Sequence, residues 1–172
     1  MTPRFAIERL APSHDRASFL SGVDVLDRYL RQFAGQDARK RLANCFVAVE
    51  KSSGQLAGFY TLSASSILVS DLPEAIAKRL PHYPSVPAAL IGRLAVDMRF
   101  RGQRLGEALL LDAVDRVLDS DPAVFALVVD AKDEAAASFY RRFEFRALSS
   151  NQMSFFLPVA ALETRRLQDS PP

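Results

Sequence analysis

Residues 92–113 read GRLAVDMRFRGQRLGEALLLDA and join, in order, the end of an alternating strand, a short basic turn and the start of a helix. In the strand, which runs from about Ala88 to Asp97, Leu90, Gly92, Leu94 and Val96 lie on one side and Ala89, Ile91, Arg93 and Ala95 on the other. The helix keeps Arg104, Glu107, Asp112, Asp115, Arg116 and Asp119 polar while its other positions are nearly all apolar. Three of the seven glycines, Gly92, Gly102 and Gly106, fall here, and none follows Gly106. A turn entering a helix offers unpaired N–H groups and the positive end of the helix dipole, and Arg99, Arg101 and Arg104 add charge. The stretch reads as a cradle for a pyrophosphate. Taken alone, it also fits an ordinary exposed turn with solvated arginines.

Outward from this stretch, Arg4 to Leu10 alternates as a first strand, and Asp24 is placed to cap a helix through Phe33 that Gly35 should break. A second helix is expected over Gln36 to Leu42. A hairpin follows, with strands at Cys45 to Glu50 and Gln55 to Ser63 around Ser52-Ser53-Gly54. Pro73, Pro81, Pro84 and Pro87 fence a loop-rich excursion with a short helix between Leu72 and Leu80. On the far side, Val124 to Val129 is a continuous apolar run of the kind covered on both faces, which taken by itself favours a parallel central sheet. Asp133 then caps a helix to about Phe143, and Met153 to Leu157 forms a last strand.

With 172 residues, 49% hydrophobic and 24% charged, the chain supports one domain, taken as 1–162, followed by a polar tail at 163–172 that should fray. The single cysteine, Cys45, excludes an internal disulfide and reads as a core residue. A catalytic thiol would need a histidine partner, and the chain has only His14 and His82. No metal ligand set is expected. No apolar run approaches the roughly 20 residues of a membrane span or the core of a signal peptide, so a cytoplasmic protein is expected. Net charge is only +2, yet the basic residues cluster. One group is Arg28, Arg31, Arg39, Lys40 and Arg41, and another is Lys78, Arg79, Arg93, Arg99, Arg101 and Arg104. Such segments suit phosphodiesters and equally suit solvated helix faces.

Two motifs in order turn these readings into a likeness. Arg93 to Ala113 resembles the central motif of the GNAT superfamily of acetyltransferases, and Asp130-Ala-Lys-Asp-Glu-Ala-Ala-Ala-Ser-Phe-Tyr-Arg-Arg-Phe-Glu-Phe145 resembles its later helix with a Phe-Tyr pair. The resemblance implies an α/β (α+β) fold whose central mixed, mostly antiparallel sheet is flanked by helices and splayed at its parallel middle strands. It implies acetyl-CoA as donor, its diphosphate on Arg101, Gly102, Gln103, Arg104, Leu105 and Gly106. Its pantetheine arm would lie along Leu94, Ala95 and Val96, where a backbone amide meets the thioester oxygen, with Phe139 also beside the cofactor. Two positions depart from the pattern, since Arg104 and Glu144 stand where the superfamily has glycine. Arg104 still serves the cradle provided its φ stays negative.

A narrower likeness covers Asp24 to Pro158. Leu26-Asp-Arg-Tyr-Leu30, Gln36-Asp-Ala-Arg-Lys-Arg41, Gly58-Phe-Tyr-Thr-Leu-Ser63, Leu80-Pro-His-Tyr-Pro84 and Val129-Asp-Ala-Lys132 resemble toxins of type II toxin-antitoxin systems that acetylate aminoacyl-tRNA. The implied acceptor is the α-amino group of aminoacyl-tRNA, so that translation is blocked, and the implied partner is a ribbon-helix-helix antitoxin. Tyr140 is the implied general acid beside the departing sulfur. Reference pKa values of roughly 10 for tyrosine and roughly 8.5 for a thiol make that transfer nearly balanced. Apart from the likeness, Tyr140 reads as an aromatic packed on Phe139. Arg39, Lys40, Arg41, Arg79, Arg93, Arg141 and Arg142 are the expected RNA contacts. An α-amine of pKa roughly 8 needs little help losing its proton; Glu50, Asp97 or a water is the available base. Two other readings stay open: an N-acetyltransferase for a protein N-terminus or small amine, and a non-catalytic acyl-CoA-binding module. The sequence also leaves a homodimer open.

Overall fold

The computed structural model describes residues 3–163. Its strands are β1 (Phe5–Arg9), β2 (Asn44–Glu50), β3 (Leu56–Leu68), β4 (Ser85–Val96), β5 (Ala126–Asp130), β6 (Arg146–Ala147) and β7 (Ser154–Pro158). Its α-helices are α1 (Asp24–Arg28), α2 (Ala34–Arg39), α3 (Glu74–Ala77), α4 (Leu105–Leu118) and α5 (Glu134–Arg142). The strands are hydrogen-bonded in the order β1-β2-β3-β4-β5-β7-β6. The pairs β1/β2, β2/β3, β5/β7 and β6/β7 are antiparallel. Neighbours β4 and β5 are joined through α4, the kind of connection that parallel strands require. A mixed, mostly antiparallel sheet with flanking helices is the expected architecture.

The described residues fall into two compact units. The first holds the chain up to Ser63 together with Ile91–Ala113. Its hairpin forms because residues 45–48 are apolar throughout and Gly54 takes the left-handed backbone of the turn at φ +73°. The register places Val47 opposite Phe59 and slips once between Ala48 and Val49. Phe19, Tyr29, Leu30, Ala34, Cys45, Val47, Leu56, Phe59 and Ala95 form one core cluster within it.

Gly35 does not end the helix. The chain passes from α1 through a π-helical turn (Tyr29–Phe33) into α2, with Gly35 inside. A Cβ there would stand 3.4 Å from Arg39 Nη1 and 3.5 Å from Arg16 Nη1, so the bare backbone leaves room for two guanidinium groups. Asp24 is the first helical residue and caps nothing with its side chain. Asp27 reaches back instead, its Oδ1 accepting from Ser21 N at 2.9 Å and Ser21 Oγ at 2.6 Å.

The second unit holds Ala64–Leu90 and the chain from Val114 onward. Ile67, Leu72, Val86, Ala88, Ala126, Val128, Leu148 and Phe156 form one core cluster within it. β3 runs past Ser63 to Leu68 because pairing, which apolar alternation does not report in Ser-Ala-Ser-Ser, carries it on. The proline-fenced helix shrinks to α3, and β6 is a two-residue strand too short to leave a pattern. The tail expected at 163–172 lies, beyond Glu163, outside the described residues.

Candidate active site

In the first unit, the turn between β4 and α4 is built around a buried carboxylate. Asp97, 1% exposed, accepts at 2.9 Å from Leu20 N, Arg99 N, and Arg99 Nε and Nη2. Those bonds shape the 3-10 turn Met98–Phe100, and Phe100 pins it by packing edge-on to Phe5 at 5.7 Å. Arg101 Nη2 donates to the Ser21 carbonyl at 2.5 Å, and Gln103 Oε1 accepts from Arg4 Nη1 at 2.5 Å. Of the turn's three arginines, Arg99 and Arg101 therefore have internal partners.

Gly102 sits at φ +76° and Arg104 at φ +59°. The condition of a negative φ at Arg104 is not met: the arginine adopts the left-handed backbone that favours glycine, the residue the superfamily has at this position, so the turn keeps that conformation at a local cost of about 1–2 kcal/mol. Its carbonyl accepts the first bond of α4, from Ala108 N at 3.1 Å. The N–H groups of Leu105, Gly106 and Glu107 therefore have no acceptor in the preceding helical turn. Leu105, 3% exposed, anchors this end in the core. A positive helix end with three such donors is chemically suited to a diphosphate.

Upstream on β4, Leu94 and Val96 are half-buried and Ala95 is buried. Gly58 faces them at close range, for a Cβ there would stand 3.0 Å from the Ala95 carbonyl oxygen. In the sequence Gly58 enters only as part of a family motif and carries no assigned role, although an isolated glycine inside a strand is a known sign of close backbone approach. Tyr60 of β3 donates to Asp112 Oδ2 of α4 at 2.6 Å.

In the second unit, Asp133 caps α5 as expected, its Oδ1 accepting from Ala136 N at 2.8 Å. Tyr140 is 6% exposed, edge-on to Phe139 at 5.2 Å and tilted against Phe145 at 5.6 Å. Its hydroxyl makes no hydrogen bond among the described residues. Burial pushes the phenol up to about 12. Against a free thiol of pKa roughly 8.5 the transfer is then less nearly balanced than the reference values give. Such a hydroxyl stays protonated at neutral pH and is suited to donating a hydrogen bond to developing negative charge. Glu144, just beyond α5, takes φ +69°.

The acetyltransferase (GNAT) domain family matches residues 82–159. Over 154 residues, 88% of this chain and 90% of the relative, the chain is 32% identical to a tRNA-acetylating toxin of Mycobacterium tuberculosis (strain ATCC 25618 / H37Rv). The chain belongs to the toxin branch of the GNAT acetyltransferases. Among solved structures, AtaT complexed with acetyl-methionyl-tRNAfMet matches with a TM-score of 0.88 at 27% identity, covering 94% of this chain and 99% of that one. AtaTR bound with AcCoA matches with a TM-score of 0.82 at 25% identity, covering 95% and 98%.

Neither carboxylate considered as a base in this GNAT chain is free to act as one. Burial would raise Asp97, but its bonds from Arg99 and the Leu20 N–H together hold it below the usual carboxylate range. Glu50 is held low by Ser53 Oγ at 2.7 Å and by Arg4 Nε at 2.8 Å. His14 is also engaged: its Nδ1 accepts from Ala11 N at 2.9 Å, so Nε2 carries the proton toward Glu8 at 2.6 Å. Cys45 is 1% exposed, and burial pushes its thiol up to about 12, which suits a core residue and not a nucleophile.

The expected RNA contacts of this GNAT chain divide by environment. Arg39, Lys40 and Arg41 are exposed around the end of α2, with Arg41 at φ +60°, and Arg79 is exposed after α3. Arg93 is half-buried and stacks on Tyr29. Arg141 pairs with Glu134 at 2.6 Å, and the Arg142 guanidinium lies 5.8 Å from the Phe139 ring. Among the described residues, no helix is long and apolar enough to cross a membrane.

Proposed function

We propose that this chain transfers the acetyl group of acetyl-CoA to the α-amino group of an aminoacyl-tRNA and thereby blocks translation. The observation that carries this reading is the 32% identity to a tRNA-acetylating toxin along 88% of the chain. Support comes from the likeness to AtaT with acetyl-methionyl-tRNAfMet and to AtaTR with AcCoA.

Acetyl-CoA supplies the activated acetyl group when bound. The Arg101-to-Gly106 turn and the first N–H groups of α4 hold its diphosphate, and the Leu94–Ala95–Val96 edge takes the pantetheine arm, with Phe139 also at the cofactor. Backbone amides of that edge stabilise the oxyanion. The acceptor α-amine, of pKa roughly 8, loses its proton to water and needs no side-chain base. As the new C–N bond forms and the C–S bond breaks, Tyr140 donates its hydroxyl hydrogen to the departing thiolate. Arg39, Lys40, Arg41, Arg79, Arg93, Arg141 and Arg142 hold the RNA. A ribbon-helix-helix antitoxin is the partner, and the cytoplasm is the compartment in which charged tRNA is met.

The test is transfer from labelled acetyl-CoA to bulk charged tRNA, with wild type and Tyr140→Phe. Wild-type label in the tRNA fraction and a fall in kcat of at least about 100-fold for the variant are expected. Label entering only free amines or protein N-termini would overturn the acceptor, and full activity of Tyr140→Phe would remove the proposed acid.

A further inference from the structure

Arg93 is an unusual cation within the first unit. Its guanidinium carbon lies over the Tyr29 ring, 3.6 Å from its centre. The side chain is half-buried, and among the described residues it donates to no carboxylate or carbonyl. The residue is nonetheless held firmly, because its backbone N–H donates to Thr61 Oγ1 at 3.1 Å. The platform beneath it is rigid as well. Tyr29 is 5% exposed, stacks on Phe59 at 6.4 Å and 17°, and donates its hydroxyl to Asp37 Oδ2 at 2.8 Å. A guanidinium that is partly desolvated and has unused N–H donors is costly unless a ligand accepts from it, and its planar fork matches a phosphate.

Two further guanidinium groups lie along the helical segment that carries Tyr29. Arg16 is half-buried, and its Nη1 donates to the Leu30 carbonyl at 3.2 Å, inside the π-helical turn. Both Arg16 and Arg93 act electrostatically on the Cys45 thiol. Arg16 and Arg39 in turn converge on Gly35, where each Nη1 lies within 3.5 Å of the position a Cβ would take. The acid beside this row is Asp37, one of whose oxygens is engaged by Tyr29.

We infer that Arg93, Arg16 and Arg39 form a guanidinium track that takes successive phosphodiesters of the acceptor's single-stranded 3′ end, with Arg93 innermost on its Tyr29 platform. Arg93 adjoins Leu94, the start of the strand edge assigned above to the acetyl donor, so its phosphate is the one nearest the reacting amine. This deepens the aminoacyl-tRNA reading and rests on it. It assigns acceptor recognition to Arg16, which charge clustering along the chain did not single out, and to Tyr29 and Asp37 as positioning residues.

The experiment compares bulk charged tRNA with amino-acid methyl esters, which offer the same α-amine without phosphate. Arg93→Gln is expected to raise KM for charged tRNA about tenfold and to lower the tRNA-to-ester ratio of kcat/KM by a similar factor. The dependence of log KM on log salt should flatten by about 0.7, the loss of one single-strand phosphate contact. Arg93→Lys should restore the salt slope but only part of KM, because a point charge replaces the fork. Arg16→Gln should act in the same direction, and thermal melts show whether each variant is folded. An unchanged KM and slope in folded Arg93→Gln would overturn the track while leaving the acceptor reading intact. An equal loss on methyl esters, or a matching loss of acetyl-CoA affinity in calorimetry, would also overturn it by placing Arg93 in local structure or at the donor. Wild-type protein that acetylates esters but never charged tRNA would overturn both readings together.

Discussion

The Ala95 carbonyl oxygen lies 3.0 Å from the point a Cβ on Gly58 would occupy, and Leu109 Cδ1 lies 2.9 Å from it. Leu109 can swing a methyl aside; the Ala95 carbonyl belongs to β4 and moves only with its strand. Gly58→Ala is therefore expected to cost about 1–3 kcal/mol by overpacking. Because Ala95 lies on the edge proposed for the pantetheine arm, acetyl-CoA affinity should fall as well. Denaturant unfolding and calorimetry read the two effects separately, and an unaltered midpoint would show that β4 has room to spare.

Asp97→Asn keeps the shape of the side chain but replaces an acceptor oxygen with a donor facing Arg99 and the Leu20 N–H. Losing the charge-assisted bonds from Arg99 and leaving a buried N–H poorly matched is expected to cost about 2–3 kcal/mol. The turn before α4 should loosen with it. The native carboxyl lies below the usual range, so its contribution is complete above the unfolded value of roughly 3.9 and is lost as pH falls through the native value. The wild type should therefore lose stability in acid more steeply than Asp97→Asn, as urea titrations from pH 7 to pH 3 would record.

At alkaline pH the sign is opposite. Burial holds both Tyr140 and Cys45 protonated to about pH 12, against ordinary values of 10.0 and 9.0. Tyr29 is raised in the same direction by burial and then by its bond to Asp37. Each group stabilises the fold fully below its unfolded value, and that stability is lost as pH rises toward the native value. The melting temperature should hold up to about pH 9 and then decline, and Cys45→Ala should move the onset toward pH 10. In the folded protein, Cys45 should resist thiol reagents and react only on unfolding.

Arg104 and Glu144 hold left-handed backbone at φ +59° and +69°. Arg104→Gly and Glu144→Gly should each relieve that strain, the net gain being up to about 1 kcal/mol after the extra entropy of unfolded glycine. Thermal melts of the two variants measure it. Arg104→Gly also removes a charge at the turn, so its acetyl-CoA affinity should become less dependent on salt.

Much of this molecule is legible along the chain because local chemistry decides it. Apolar alternation locates β1 and β4, a continuous apolar run locates β2, Asp133 marks the start of α5, and the basic glycine turn announces the anion site before α4. Gly35 misleads because its local meaning is a break, whereas its place in the fold is to make room for Arg16 and Arg39. β3 runs longer than its pattern because polar residues pair as well as apolar ones when a neighbouring strand is present. Asp97 and Glu50 look like bases in a string of letters, and each proves to be held by arginine.

Order along the chain thus settles the family, the elements and the turn, since those depend on spacing and on residues within a few positions of one another. Which charges stay free is a different kind of fact. Arg99 and Arg101 are spent on Asp97 and Ser21, Arg93 is spared above Tyr29, and the Tyr140 phenol is raised by burial. Arg99 meets Asp97 two residues away. The Leu20 N–H that completes that site, the Ser21 carbonyl and the Tyr29 ring come from tens of residues away by packing, where desolvation and hydrogen-bond geometry set the energy of a charge.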